Sequence, residues 1–114
     1  MSMTIDTRRN GFVSVLDLSG RLTLGDGTDQ LRATVKQQLD EGNKNILLNM
    51  AGVSYIDSAG LGELVALYTH TTRREGQLKL VALSGRFVDL LQLTKLHTVF
   101  DIFDNEAMAV LSYG

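Results

Sequence analysis

The stretch Ile56-Asp57-Ser58-Ala59-Gly60-Leu61-Gly62 marks the point where an apolar segment ends and a helix is predicted to begin. Apolar residues then recur on one helical face, at Leu61, Leu64, Val65 and Tyr68. The N–H groups of a helix's first turn have no partner within the helix, and the peptide dipoles leave partial positive charge there. The Ser58 hydroxyl can therefore either cap the helix or carry a phosphate that this helix end accommodates.

The rest of the chain alternates between strand and helix patterns on both sides of this stretch. Strands are predicted over residues 3–9, 12–18, 46–50, 78–83 and 99–103. A hairpin turn is expected at Asn10-Gly11, because this pair supports the positive φ angles of tight turns. Residues 20–27 are expected to form a loop that could include a short extended piece.

Four helices are predicted between and after these strands. The first carries Leu31, Val35 and Leu39, with Asp26 or Thr28 as its cap. The second begins at Ser58, and the third and fourth follow Ser84 and Asp104. The order β-β-α-β-α-β-α-β-α predicts a single α/β domain over residues 1–114 with a mixed, mostly parallel sheet, an N-terminal β-hairpin and about four helices.

Composition excludes several classes of protein. The 114 residues contain no cysteine, so neither disulfides nor a thiolate zinc site is possible. The 13 acidic and 11 basic residues are scattered, which argues against a nucleic-acid-binding surface. No apolar run approaches the ~20 residues that span a bilayer, and the N-terminus has no signal-peptide pattern. We therefore expect a cytoplasmic protein that does not insert into membranes.

Enzymatic interpretations of the central stretch have weak support. Ser58 lacks the first glycine of a nucleophile elbow, since Ile56 stands in its place. Asp57 could accept a phosphoryl group only beside an acidic Mg²⁺ pair after the first strand, where Arg8 and Arg9 stand instead. We therefore expect no catalytic residue.

The remaining candidates for a cofactor or metal site are equally weak. The glycine pairs at 25/27 and 60/62 match no phosphate-binding motif, so the first pair is predicted to form turns. Gly60 and Gly62 indicate close approach of another backbone, either within the fold or from a partner. His97 is predicted in a connection and His70 on the outer side of the second helix, so no metal or other cofactor is expected.

Five stretches carry a family resemblance: residues 15–22, 46–50, 53–62, 76–80 and 90–96. Together they resemble the STAS domain, and specifically the single-domain bacterial anti-sigma factor antagonists. The resemblance covers nearly the whole chain, and the run Asp-Ser-Ala-Gly-Leu-Gly is its most specific part. It implies the same α/β fold as the element order.

The resemblance also implies a function and a phosphorylation site. In this family the serine after the aspartate, here Ser58, is phosphorylated by the anti-sigma factor, which is a serine kinase. The unphosphorylated antagonist binds that kinase and so releases a sigma factor; a serine phosphatase restores the binding form. The implied partner-binding residues are Asp57, Ser58, Ala59, Gly60, Leu61, Gly62, Arg21 and Thr23.

Two departures and one alternative stay open. The family often has acidic residues where this chain has Asn49 and Thr23, and both positions are expected near Ser58, where they could alter kinase recognition. The alternative function is a constitutive STAS subunit of a larger assembly, such as an ABC lipid transporter or a stressosome-like scaffold, with Ser58 only a helix cap. The exposed edge of the hairpin could also pair weakly with a second copy.

Overall fold

The computed structural model describes residues 3–114. The strands are Thr4–Asn10 (β1), Val13–Leu22 (β2), Asn45–Ile56 (β3), Gln77–Val81 (β4) and Ile102–Phe103 (β5). The α-helices are Asp26–Asp40 (α1), Ser58–Arg73 (α2), Gly85–Leu93 (α3) and Glu106–Leu111 (α4). A short 3₁₀ turn, Leu96–Thr98, follows α3. The predicted order of strands and helices is confirmed.

The strands form one sheet in the order β1-β2-β3-β4-β5. β1 and β2 are antiparallel and joined at Gly11, whose φ of 62° suits a residue without a side chain. All other neighbouring strands are parallel, so the mixed, mostly parallel sheet is also confirmed. β1 lies at an edge of the sheet, the position that the predicted homodimer would use.

The two faces of the sheet are covered unequally. The larger apolar cluster packs α1, α2 and α3 against one face, where sheet residues such as Leu16, Leu48 and Leu80 are fully buried. The smaller cluster places Ala109 of α4 against the opposite face, beside Leu47. Neighbouring residues of a strand point to opposite faces, so the apolar run at the start of β3 is buried on both sides, as predicted.

The strands β2 and β3 extend beyond the rest of the sheet. Pairing between β3 and β4 ends at Asn49, whereas β2 and β3 stay paired as far as Leu22 and Ile56. Gly52 allows close contact within this extension, because an added Cβ would lie 2.7 Å from the Leu18 carbonyl oxygen. The extension therefore brings Leu22 and Ile56 side by side at the point where α2 begins.

Some predicted boundaries were wrong. The central strand does not end at Met50 but continues to Ile56, and the second strand continues from Leu18 to Leu22. The short extended piece that was expected within residues 20–27 is the end of β2, at residues 20–22. These extensions were missed because they have no continuous apolar pattern. They form strands because each pairs with the other through backbone hydrogen bonds.

The starts of two helices also differ from the prediction. Helix α1 begins after Gly25, and the Thr28 hydroxyl accepts the Gly25 N–H and donates to the Gly25 carbonyl, at 3.1 Å in each case. Helix α4 begins at Glu106 rather than directly after Asp104, because Asn105 is its cap and its side chain accepts the Met108 N–H at 3.1 Å.

Candidate functional site

Helix α2 begins with Asp57 as its cap and Ser58 as its first helical residue. The Asp57 backbone is extended, and its Oδ1 accepts the Gly60 N–H at 2.7 Å. Ser58 is exposed, and its hydroxyl makes no hydrogen bond to any residue that the structure describes. The interpretation of Ser58 as the helix cap is therefore wrong, because the carboxylate of the preceding residue already fills that position.

Asp57 also binds the loop between β2 and α1. Its Oδ2 accepts the Leu24 N–H at 3.1 Å, and its own N–H donates to the Leu22 carbonyl at 3.3 Å. Hydrogen bonds from the N–H groups of Gly60 and then Leu24 hold the pKa of the Asp57 carboxyl below its ordinary value. Ser58 therefore stands next to a fixed negative charge at neutral pH.

The two glycines of the first α2 turn differ in their surroundings. Gly60 is buried against β2, and a Cβ there would overlap the Leu22 carbonyl oxygen. Gly62 is exposed, and nothing lies within 4 Å of a Cβ placed on it. Gly27 of α1 resembles Gly60, because its Cβ would lie 2.6 Å from the Arg21 carbonyl oxygen. Gly27 was predicted to form a turn, but it is a packing position inside a helix.

The other predicted partner-binding residues surround the paired ends of β2 and β3. Arg21 is exposed, and its guanidinium lies 4.9 Å from the centre of the Tyr55 ring. Thr23 is half-buried, and its carbonyl accepts the Thr28 N–H at 3.1 Å. Ala59 and Leu61 are half-buried beside Ser58. The structure thus brings these residues to one end of the sheet, while their binding role stays a prediction.

Asn49 does not lie near Ser58, contrary to expectation. It is seven residues before the end of β3, which corresponds to about 23 Å along a strand. Its side-chain amide donates to Asp17 Oδ1 at 2.8 Å, in a polar group that also contains Arg8. Asn49 therefore occupies a position remote from Ser58, whereas Thr23 does lie at the same end as Ser58.

Three exposed apolar side chains near Ser58 were not identified from the sequence. Leu93 is 85% exposed, Leu24 is 78% exposed and Tyr55 is 45% exposed. A cleft of about 320 Å³ runs from Tyr55 to Leu93, and another of the same size separates Ser58 from Thr94 and Leu96. The sequence offered one signal that two of these residues are exposed: Leu24 and Leu93 do not lie on the apolar stripe of any predicted helix.

The positions of the two histidines do not support a metal site or a catalytic role. His97 is exposed in the 3₁₀ turn, and His70 is half-buried between α1 and α2 rather than on the outer side of α2. Among residues 3–114, no group of three or more His, Cys, Asp or Glu side chains could hold a metal ion. Over the same residues, each helix is too short or too polar to cross a bilayer.

Comparison with known proteins agrees with the fold. The STAS domain family model matches residues 4–109. The anti-sigma-B factor antagonist of Bacillus subtilis is 28% identical over 106 residues, covering 90% of this chain and 92% of that protein. A solved anti-sigma factor antagonist from Mycobacterium paratuberculosis has a TM-score of 0.85 at 20% identity, over 98% of this chain and 94% of that one. The Bacillus cell fate determinant SpoIIAA in its phosphorylated form has a TM-score of 0.71 at 20% identity, over 94% and 96%.

Proposed function

The chain belongs to the STAS domain family, and we propose that it is an anti-sigma factor antagonist whose binding is switched by phosphorylation of Ser58. It acts as a binding protein rather than an enzyme. The unphosphorylated form binds a serine-kinase anti-sigma factor and so releases a sigma factor. The kinase ends binding by phosphorylating Ser58, and a serine phosphatase restores it. The names of the curated relatives support the antagonist role.

The observation that carries the proposal is that Asp57, and not Ser58, caps helix α2. Asp57 caps α2 through Gly60, which leaves the neighbouring Ser58 hydroxyl exposed and without a hydrogen bond in the described chain. A kinase can therefore modify the Ser58 hydroxyl without breaking a hydrogen bond within the protein. The free protein should keep its fold, because the positive end of α2 offsets part of the phosphate charge.

A phosphate at Ser58 would have a larger effect at a docked surface. It adds about −1.5 to −2 charges beside the ionised Asp57. The surrounding surface is apolar at Leu24 and Leu93, so a partner covering it would remove this charge from water. A loss of ~3 kcal/mol lowers affinity by more than about a hundredfold, which is sufficient for a switch.

The exposed backbone at Gly62 supports the same surface as the docking site. Since nothing in the fold occupies the space above Gly62, a partner can approach the helix closely there. Leu61 and Ser58 border this position, and Leu24 lies on the other side of Asp57. Aromatic and aliphatic side chains of this kind, around a small polar centre, are typical of protein–protein interfaces.

The test uses three baits in affinity capture from the native lysate: wild type, Ser58→Ala and Ser58→Glu. We expect wild type and Ser58→Ala to retain a kinase-type anti-sigma factor and Ser58→Glu to lose it. Calorimetry with that purified kinase should then give a loss of at least about a hundredfold for Ser58→Glu.

Thr72→Glu is the matched control, because it adds the same charge to an exposed hydroxyl position on the same helix, about 21 Å away. It should bind as wild type does. If all baits retain the same transporter or scaffold proteins, the chain is a constitutive subunit and the proposal is wrong.

A further inference from the structure

A third cleft, between α1 and α2, collects positive charge away from Ser58. It has a volume of about 490 Å³ and receives Arg32 and Lys36 from α1 and Glu63, His70 and Arg73 from α2. Residues three, four or seven positions apart share one face of a helix, so these side chains face one another across the groove. His70 is 12 residues beyond Ser58, or about 18 Å along α2.

The single carboxylate in this cleft is already neutralised. Glu63 is only 8% exposed, and Arg32 binds both of its oxygens, Nη2 to Oε1 at 2.6 Å and Nε to Oε2 at 3.2 Å. In this bidentate ion pair, each oxygen of the carboxylate accepts a hydrogen bond from the guanidinium. The charge of Glu63 therefore does not compensate the other cations of the cleft.

Lys36 and Arg73 have no counter-charge. Within residues 3–114, no acidic oxygen lies within 4.0 Å of either cation. The next residue, Arg74, shows the usual arrangement, because it pairs with Asp40 at 3.1 Å. Two cations on facing helices thus remain available to a ligand that enters the groove.

His70 and the apolar wall add two further features. The Nε2 atom of His70 is buried and has no hydrogen-bond partner among the described residues. Because this atom is closed off from solvent, a ligand in the cleft would contact other atoms of the His70 side chain. The exposed Ala66 lines the same cleft together with Leu67, which is only 1% exposed, so the cleft combines cationic surface with a small apolar area. A volume of this size is in the range of small-molecule sites.

We propose that this cleft binds a small organic phosphate. Lys36 and Arg73 hold the phosphate, and the apolar part of the ligand packs on Ala66 in the cleft that His70 also lines. The proposal concerns a site separate from Ser58 and stands independently of the proposed function.

The test is a titration of ¹⁵N-labelled full-length protein with phenyl phosphate, followed by NMR. We expect saturable shifts of the backbone amides of residues 32–36 and 66–73 at ligand concentrations up to about 10 mM, which detects millimolar affinity. Inorganic phosphate should bind more weakly, and benzyl alcohol, which has no charge, should not bind. Absence of saturation would overturn the proposal, as would equal binding of phosphate and phenyl phosphate.

The double variant Lys36→Gln/Arg73→Gln should weaken phenyl phosphate binding by about tenfold or more, since it removes both charge-assisted contacts. Lys44→Gln/Lys95→Gln removes two exposed cations elsewhere and should bind as wild type does. Equal losses in the two variants would mean that only net charge matters, and the site would be rejected. Binding of a hexaglutamate peptide but not of phenyl phosphate would also reject it, in favour of a protein contact.

Discussion

The carboxylate of Asp57 fixes Leu24 in place, since its Oδ2 accepts the Leu24 N–H at 3.1 Å while its Oδ1 caps α2. One side chain thus joins the start of α2 to the loop before α1. Leu24 itself is largely exposed, and Ser58 follows Asp57 directly. The surface around Ser58 is therefore ordered before any partner arrives, which lowers the entropy cost of binding.

Replacement of Asp57 should separate its two roles. We expect Asp57→Ala to lower the unfolding midpoint by about 5 °C through loss of the cap, and to speed hydrogen exchange at the Leu24 amide. Asp57→Ser keeps a capping oxygen but cannot reach both N–H groups. The Asp57→Ser protein should regain most of the lost unfolding midpoint, while the Leu24 amide still exchanges its hydrogen fast. Unchanged Leu24 exchange in both variants would show that the Asp57–Leu24 bond does not order the loop.

Gly60 and Gly62 form a matched pair for a second prediction. Gly60→Ala should destabilise the protein by roughly 1–3 kcal/mol, because the new methyl group overlaps the Leu22 carbonyl oxygen and α2 must shift. Gly62→Ala should stabilise the free protein by up to about 1 kcal/mol, because its Cβ meets open space and alanine favours the helix. Chemical denaturation measures both. A Gly60→Ala protein as stable as Gly62→Ala would contradict the close packing of α2 on β2.

The fold was predictable because its signals are local. Asn10-Gly11 specified the hairpin, and the helical stripe from Leu61 to Tyr68 specified α2. The extension of β3 to Ile56 was not predictable in the same way. Its residues alternate irregularly, and many of their backbone groups are satisfied by pairing with the end of β2, which is distant in sequence.

The site was predictable in position but not in detail. The serine motif identified the start of α2, yet the sequence could not distinguish Asp57 from Ser58 as the cap, since both residue types are good caps. Nor could it show that Gly60 packs inside the fold and Gly62 does not, because that difference depends on where the Leu22 carbonyl lies. Leu24 and Leu93 fall on no buried helical stripe, but the sequence alone could not show that both lie at the same end of the sheet as Ser58, because that depends on the folded chain.

These exposed leucines give a third prediction, which rests on the proposed function. Leu24→Asn and Leu93→Asn should each weaken binding to the anti-sigma factor by about tenfold or more, while changing the free energy of unfolding by less than about 0.5 kcal/mol. Phe12→Asn is the control, since Phe12 is 88% exposed in the hairpin turn at the opposite end of β2. It should leave binding unchanged. Calorimetry and denaturation together decide the matter, and equal losses for all three variants would refute a localised surface.

The last prediction concerns Arg8, which joins three elements on the α4 side of the sheet. From β1 it binds Asp17 of β2 at 2.7 Å and Glu106 of α4 at 2.6 Å. Arg8 lowers the pKa of Asp17, with a smaller contribution from Asn49, and it lowers the pKa of Glu106, with a smaller contribution from Asn10. Both carboxyls therefore favour the charged form more strongly in the folded protein than in the unfolded chain.

The sign of the pH dependence follows from these lowered values. The unfolded pKa values are about 3.9 for Asp and 4.3 for Glu, so the stabilisation is complete above about pH 5 and is lost as the pH falls through the lower folded values. Arg8→Gln should cost up to about 1 kcal/mol at neutral pH, since the guanidinium is partly exposed, and this difference from wild type should shrink toward pH ~3. Arg9→Gln is the control on the same strand, because Arg9 binds the neutral side chains of Asn43 and Ser14. Urea unfolding across this pH range measures both differences. A difference for Arg8→Gln that stays constant with pH would mean that Arg8 stabilises the protein by packing rather than through its two carboxylates.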